Sequence, residues 1–256
     1  MRIGILDHDS HHLSQLEALF KKRLSSDAEE VACVTFSDGF ELQRILCRET
    51  FDLLVLEWVG SDGKGPEILR WLRRSRRDPV PVVVLGLRAS EYEIARALDC
   101  GADDYVAKPI RPVELCARVQ RLIERNLGHG MAEHLKFGKW ELDRATQSVL
   151  GHDPSNLNRT CRRYVLTGCE FEIAMTFFRN IGRVLSRTHL QESIGYVNDA
   201  TNSRALDSHI SRLRHKLRFE EAHGLTLQTV YGRGYRLDVS HLEKHLQNIE
   251  FESVSA

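Results

Sequence analysis

Apolar residues in the first half of the chain follow two alternating patterns. Short β-rich runs occupy residues 2–6, 31–36, 52–57, 81–86 and 105–107. Between them, apolar positions recur every three or four residues: Leu13, Leu16, Leu19 and Phe20, then Leu42, Ile45 and Leu46, then Ile68, Leu69 and Leu72. Leu115, Val119, Leu122 and Ile123 predict a last helix over 113–125. Runs 53–56 and 82–85 are apolar without interruption, which marks strands covered on both faces. Five such alternations predict a doubly wound parallel α/β sheet. Functional groups of these sheets gather past the carboxyl ends of the strands. Asp7, His8, Asp9, Glu57, Gly86 and Lys108 fall there.

The pattern lapses over 126–135, which carries two glycines and little apolar weight, as a linker does. Strand-like pieces follow at 136–142, 147–150 and 162–166. Thr167 and Glu170 have capping-box spacing ahead of a helix with Phe171, Ile173, Ala174, Phe177 and Phe178 inward. Gly182 ends it, and Ser186 opens a second helix that turns Leu190 and Ile194 inward. A third, 203–217, buries Leu206, Ile210, Leu213 and Leu217 and leaves Arg204, His209, Ser211, Arg212 and Arg214 on its other faces. Residues 227–239, with glycines mid-run, predict a β-hairpin. The expected organisation is a first domain over 1–125, a linker over 126–135, a second domain over 136–238 and a C-terminal tail over 239–256, either frayed or a short amphipathic helix through Leu242, Leu246 and Ile249.

Apolar content of 42% and charged content of 28% fit a soluble globular chain. Net charge is zero, so a basic face must be local. Residues 159–237 supply one, with 13 Lys and Arg against 7 Asp and Glu, a modest nucleic-acid footprint. Six cysteines show no CxxC pair, which points to reduced thiols, and no His/Cys spacing suits a structural metal. No cofactor is expected. The N-terminus lacks a signal-peptide pattern and no apolar run is long enough to span a bilayer, so a cytoplasmic protein without membrane contact is expected.

The run GADDYVAKPI (101–110), followed by VELCARVQRLIER (113–125), resembles the end of a response-regulator receiver domain, and 1–125 matches that flavodoxin-like family in order and spacing. The resemblance implies an acidic pair for Mg²⁺ after the first strand, a phosphoacceptor Asp after the third, a Ser/Thr after the fourth and a Lys after the fifth. Here the pair reads Asp7–His8, the acceptor position holds Glu57, the hydroxyl position holds Gly86, and only Lys108 is kept. Mg²⁺ prefers oxygen ligands, which His8 does not offer. Glu57 reaches about one bond further than Asp in chemistry that small misplacements impair. Asp9, the neighbouring carboxylate, points the wrong way to repair the metal site unless the loop is remodelled. A degenerate, phosphorylation-independent pocket follows, in which Glu57 is either a fixed-charge imitation of the phosphorylated state or a retired carboxylate paired with Lys108. The alternative is a phosphorylation-dependent regulator with an unusual acceptor.

The same resemblance implies dimerisation through the fourth helix, fifth strand and fifth helix, with Asp104 meeting Arg118 and Asp103 meeting Arg125 of the partner. The run Arg73, Arg74, Arg76 and Arg77 reads as a solvated helix end. SHISRLRHKL and TVYGRGYRL resemble the recognition helix and wing of the OmpR/PhoB-type winged-helix domain. That implies Ser211 and Arg212 at base edges, Arg204, His209 and Arg214 at phosphates, and Thr229, Arg233 and Tyr235 placing the wing at the minor groove. Tyr231 stands where relatives carry Arg. The expectation is a sequence-specific transcription regulator and no enzyme, with double-stranded DNA, a second copy and RNA polymerase as partners.

Overall fold

The computed structural model describes residues 1–25, 30–58, 64–76, 78–87, 90–126, 134–152, 161–195, 203–219 and 224–239. The chain divides into two compact units, Met1–Gly130 and Met131–Ala256. Most of the expected linker and all but the first residue of the expected tail lie outside the described residues. Among the described residues, no helix is long and apolar enough to cross a membrane.

In the first unit, β1 (Arg2–Leu6), β2 (Ala32–Phe36), β3 (Leu53–Glu57), β4 (Val82–Gly86) and β5 (Asp104–Ala107) pair in parallel in the order β2-β1-β3-β4-β5. Alternate side chains go to opposite faces of a strand, so each apolar run feeds two cores. Ile3, Ile5, Leu53, Val55, Val83 and Leu85 meet α1 (Ser10–Leu24) and α5 (Pro112–Asn126) through Leu13, Leu16, Phe20, Leu115 and Val119. Leu54, Leu56, Val82 and Val84 pack with Leu42 and Leu46 of α2 (Gly39–Leu46), Ile68 and Leu69 of α3 (Gly65–Arg70), and Ala97 of α4 (Glu91–Asp99). Burying each such side chain contributes about 1.5–3 kcal/mol.

The arginine run departs from expectation. Arg73, Arg74 and Arg76 lie on a π-helical turn, Trp71–Arg76, directly after α3, and Arg77 lies outside the described residues. Arg73 is no solvated helix end: its Nε donates to Gly101 O at 3.0 Å, Nη1 to Asp78 O at 2.8 Å and Nη2 to Asp103 Oδ2 at 2.9 Å. Gly101 and Asp103 tie the turn to the segment that leads into β5, and Asp78 ties it to its own exit.

In the second unit, β6 (His134–Phe137), β7 (Trp140–Asp143), β8 (Ser148–His152) and β9 (Cys161–Val165) form an antiparallel sheet in sequence order. The stretch 136–142, expected as one strand, is a hairpin, because Gly138 turns the chain at φ +53. Thr167 and Glu170 close a capping box on α6 (Gly168–Arg179). Ser186 caps α7 (Arg187–Glu192), and α8 (Ser203–Leu217) follows. The strands β10 (Val184–Leu185), β11 (Leu225–Val230) and β12 (Gly234–Val239) form a sheet in the order β10-β12-β11. Leu206, Ile210, Leu213 and Leu217 are fully buried beside Phe171, Phe177 and Leu237, which fixes the face that α8 turns outward.

Candidate functional site

Three strand ends bring four charged groups together. Asp7, one residue past β1, is fully buried; Glu57, the last residue of β3, is 3% exposed. Lys108 follows β5, and its backbone N–H donates to Gly86 O at 2.7 Å. Its ammonium donates to Asp7 Oδ2 and to Glu57 Oε1, both at 2.8 Å. The other Glu57 oxygen, Oε2, takes His8 Nδ1 at 2.5 Å and the His8 backbone N–H at 3.2 Å. Burial pushes the Glu57 carboxyl up, but the bonds from Lys108 and His8 outweigh it and hold it below the ordinary carboxylate range. Burial likewise lowers Lys108, and its bonds to Asp7 and Glu57 carry it above the usual lysine value. His8 is raised above 6.5, first by its hydrogen bond to Glu57 and then by that carboxylate's charge. With His8 protonated the group holds two cations and two carboxylates, each satisfied inside the site.

Asp9 does not join this group. Its carboxylate caps α1, accepting from the backbone N–H of His11 at 2.8 Å and of His12 at 3.4 Å. His12, which sequence reasoning missed, lies 3.7 Å from Asp7 Oδ2 and 3.5 Å from Lys108 Nζ. Its only signal was its place in the first turn of the helix that follows Asp7.

Gly86 has a steric reason. A Cβ placed there would lie 1.8 Å from the Tyr105 hydroxyl and 2.4 Å from its ring carbon. Tyr105, 9% exposed, fills the space that a side chain at 86 needs. A hydroxyl residue at 86 and this position of Tyr105 are mutually exclusive.

The pocket does not fit Mg²⁺. Asp7, His8 and Glu57 offer ligand atoms within 4.8 Å of one another, yet one of the three donors is an imidazole nitrogen, and Lys108 engages both carboxylates. A hard octahedral ion needs those oxygens free.

The second candidate region is the outer face of α8 and the β11–β12 wing. Arg204, Ser211 and Arg212 are exposed on α8, and Thr229 and Arg233 are exposed on the hairpin. His209 is half-buried, and its Nδ1 is buried without a hydrogen-bond partner. Two expected contacts are turned inward. Arg214 donates through Nε and Nη2 to Leu227 O at 3.0 and 2.9 Å, and through Nη2 to Thr229 Oγ1 at 2.9 Å. Tyr235 requires correction: at 5% exposed it is a buried strut and presents no surface to a groove. Its hydroxyl donates to Asp207 Oδ1 at 2.5 Å and accepts from Arg187 Nη1 at 3.0 Å. Arg187 also pairs with Asp207 at 2.8 Å. Sequence reasoning missed this Arg187–Asp207–Tyr235 group, which ties α7, α8 and the wing together, because its members are far apart along the chain.

On the receiver-like unit, the charges expected to bridge two copies already pair within one chain. Arg118 Nη1 lies 3.1 Å from Asp104 Oδ2, and Arg125 Nη2 lies 3.4 Å from Asp103 Oδ1.

Residues 3–120 match the family model described as response regulator receiver domain, and 162–237 match that of the transcriptional regulatory protein C terminal. The phosphate regulon transcriptional regulatory protein PhoB of Rhizobium meliloti is 33% identical over 87% of this chain and 94% of its own length. Its Escherichia coli counterpart is 33% identical over 72% and 77%. The chain belongs to the OmpR/PhoB-type response regulators. A solved structure of the Thermotoga maritima OmpR/PhoB homolog DrrB is 26% identical, covering 93% of this chain and 98% of its own, at a TM-score of 0.43. By its two family models and its PhoB relatives, which are named as transcriptional regulatory proteins, the chain is a DNA-binding response regulator.

Proposed function

We propose that this response regulator is a sequence-specific transcription regulator that acts without phosphorylation, reads DNA through α8 and the wing, and pairs with a second copy through α4, β5 and α5. The observation that carries the reading is the occupied acceptor. Lys108 holds one Glu57 oxygen and His8 the other, while Tyr105 fills the space beside Gly86. Phosphoryl transfer depends on positioning and on charge stabilisation by metal and donors. Here the attacking oxygens are engaged and the donor at 86 is missing, so Glu57 reads as a retired carboxylate.

DNA reading follows from exposure. Arg212 and Ser211 stand opposite the buried stripe of α8, free to meet base edges, and Arg guanidinium takes guanine O6 and N7 together. Arg204 and Arg233 hold phosphates. Thr229 sits on the wing, where Arg214 braces it. Exchange of Asp103–Arg125 and Asp104–Arg118 pairs between copies replaces like with like and contributes little. Association then rests on apolar surface, to which exposed Leu98 and Val113 belong. The regulator is not an enzyme, works in the cytoplasm and contacts RNA polymerase at its promoters.

Incubation with acetyl phosphate and Mg²⁺, followed by intact-mass measurement and DNA titration, tests the reading. The expected result is no phosphoryl adduct and an unchanged DNA affinity. A stable phosphoryl-Glu or phosphoryl-Asp product would establish the phosphorylation-dependent alternative instead.

A further inference from the structure

A cleft of about 550 Å³ opens between the π-helical turn and α4, on the receiver-like unit and away from the Glu57 pocket. Its lining carries an unusual surplus of one chemistry. Arg70, Arg74 and Arg96 turn into it alongside Arg73, and Asp99 is its one acidic residue. Arg73 is consumed by Gly101, Asp78 and Asp103. Among the described residues, no carboxylate pairs with Arg70, Arg74 or Arg96. Arg96 rests instead over the Trp58 ring at 5.8 Å. Tyr92, 75% exposed, presents its ring at the same cleft. Like charges gathered in a concave site repel one another and attract anions.

We propose that this cleft binds a nucleotide, with its phosphates on Arg70, Arg74 and Arg96 and its base against the Tyr92 ring. Guanidinium groups match phosphate oxygens two at a time, and an exposed aromatic face accepts any planar base by stacking. The volume lies within the roughly 300–1,000 Å³ usual for small-ligand sites. Asp99 supplies an acceptor for a sugar hydroxyl. The π-helical turn belongs to the argument: π-bulges concentrate at functional sites, and this one carries both Arg73, bound to the wall of the cleft at Gly101, and Arg74, left free.

The site has a physical route outward. Arg73 holds Asp103, and Asp103 also accepts the Val82 backbone N–H at 2.8 Å and meets Arg125 on α5. Phosphates on Arg74 and Arg96 therefore lie beside the guanidinium that holds Asp103, the residue just ahead of β5.

The test is calorimetric titration of the full-length protein with ADP, with pyrophosphate and adenosine as separate arms. ADP is expected to bind saturably at one site per chain. Arg70→Ala with Arg74→Ala should weaken ADP and pyrophosphate by roughly tenfold or more per guanidinium removed. Tyr92→Leu should weaken ADP and leave pyrophosphate unchanged. Unaltered thermal melts of both variants would show that these surface changes leave the fold intact. Absence of saturable ADP and pyrophosphate binding overturns the site, as does binding that the double arginine variant does not alter. Pyrophosphate binding with ADP indifferent to Tyr92 overturns the nucleotide assignment. Loss of duplex DNA affinity in the double variant, with no ADP binding to lose, assigns the arginines to DNA and overturns the proposal as well.

Discussion

The Glu57 pocket and the outer face of α8 both concentrate charge, and they dispose of it in opposite ways. In the pocket, Lys108 and His8 sit within 2.8 Å of carboxylate oxygens that are almost entirely buried. On α8, Arg204 and Arg212 are exposed, with the apolar stripe beneath them doing the folding. Satisfied charge in a low-dielectric site rigidifies a structure and is costly to disturb. Exposed charge contributes little to folding and remains available for a partner. On the proposed reading, the contrast separates a region that serves as architecture from one that presents chemistry to a partner.

The largest effect that would test this contrast is removal of the pocket's cation. Lys108→Met leaves Asp7 and Glu57 buried side by side and should destabilise the unit by about 3–5 kcal/mol. Denaturant unfolding measures it, and adding Glu57→Gln should recover part of the loss. A change below about 1 kcal/mol would show that water already solvates the pair.

Arg212→Ala should leave stability within about 0.5 kcal/mol and relax base preference by about 1–3 kcal/mol at one operator position. Equal weakening toward all sequences would make Arg212 a phosphate contact. Arg204→Ala makes the complementary case: uniform weakening, with the log–log salt slope falling by about 0.9.

Gly86→Ala should cost about 1–3 kcal/mol by overpacking against Tyr105. The penalty should shrink in a Tyr105→Leu background, and a double-mutant cycle reads that coupling. Additive losses would mean that Tyr105 swings away freely.

The smallest effect is on pH. His8 is raised by Glu57, so its contribution is fully present below 6.5 and is lost as pH rises through the raised value. Glu57 is held low, so its contribution is lost only in acid, as pH falls through its depressed value. Wild type should therefore lose a little melting temperature as pH rises from below 6.5 through the raised His8 value, and His8→Ala should not. Parallel melting curves for both proteins would remove His8 from the account.

Much of this was legible in sequence because the folding signals are local. Uninterrupted apolar runs at 53–56 and 82–85 announced strands covered on both faces, and Thr167 with Glu170 announced a helix start. What escaped depends on distant partners. The π-helical turn is fixed by acceptors at Gly101 and Asp103, some 30 residues downstream of Arg73. Tyr235 looked like a groove contact because the resemblance to the wing put it there; Asp207 and Arg187, brought beside it by α8 and α7, draw it inside. The hairpin hidden in 136–142 turned on the φ of one glycine.

The fit of Tyr105 against Gly86 also bears on ancestry. A single substitution that restored a hydroxyl at 86 would meet the phenol at 1.8 Å, and one that shrank Tyr105 first would open a void with nothing to fill it. Either change made first is expected to cost stability on its own. On the proposed reading the two positions act as a ratchet, each holding the other in place against a one-step return of a hydroxyl to the pocket.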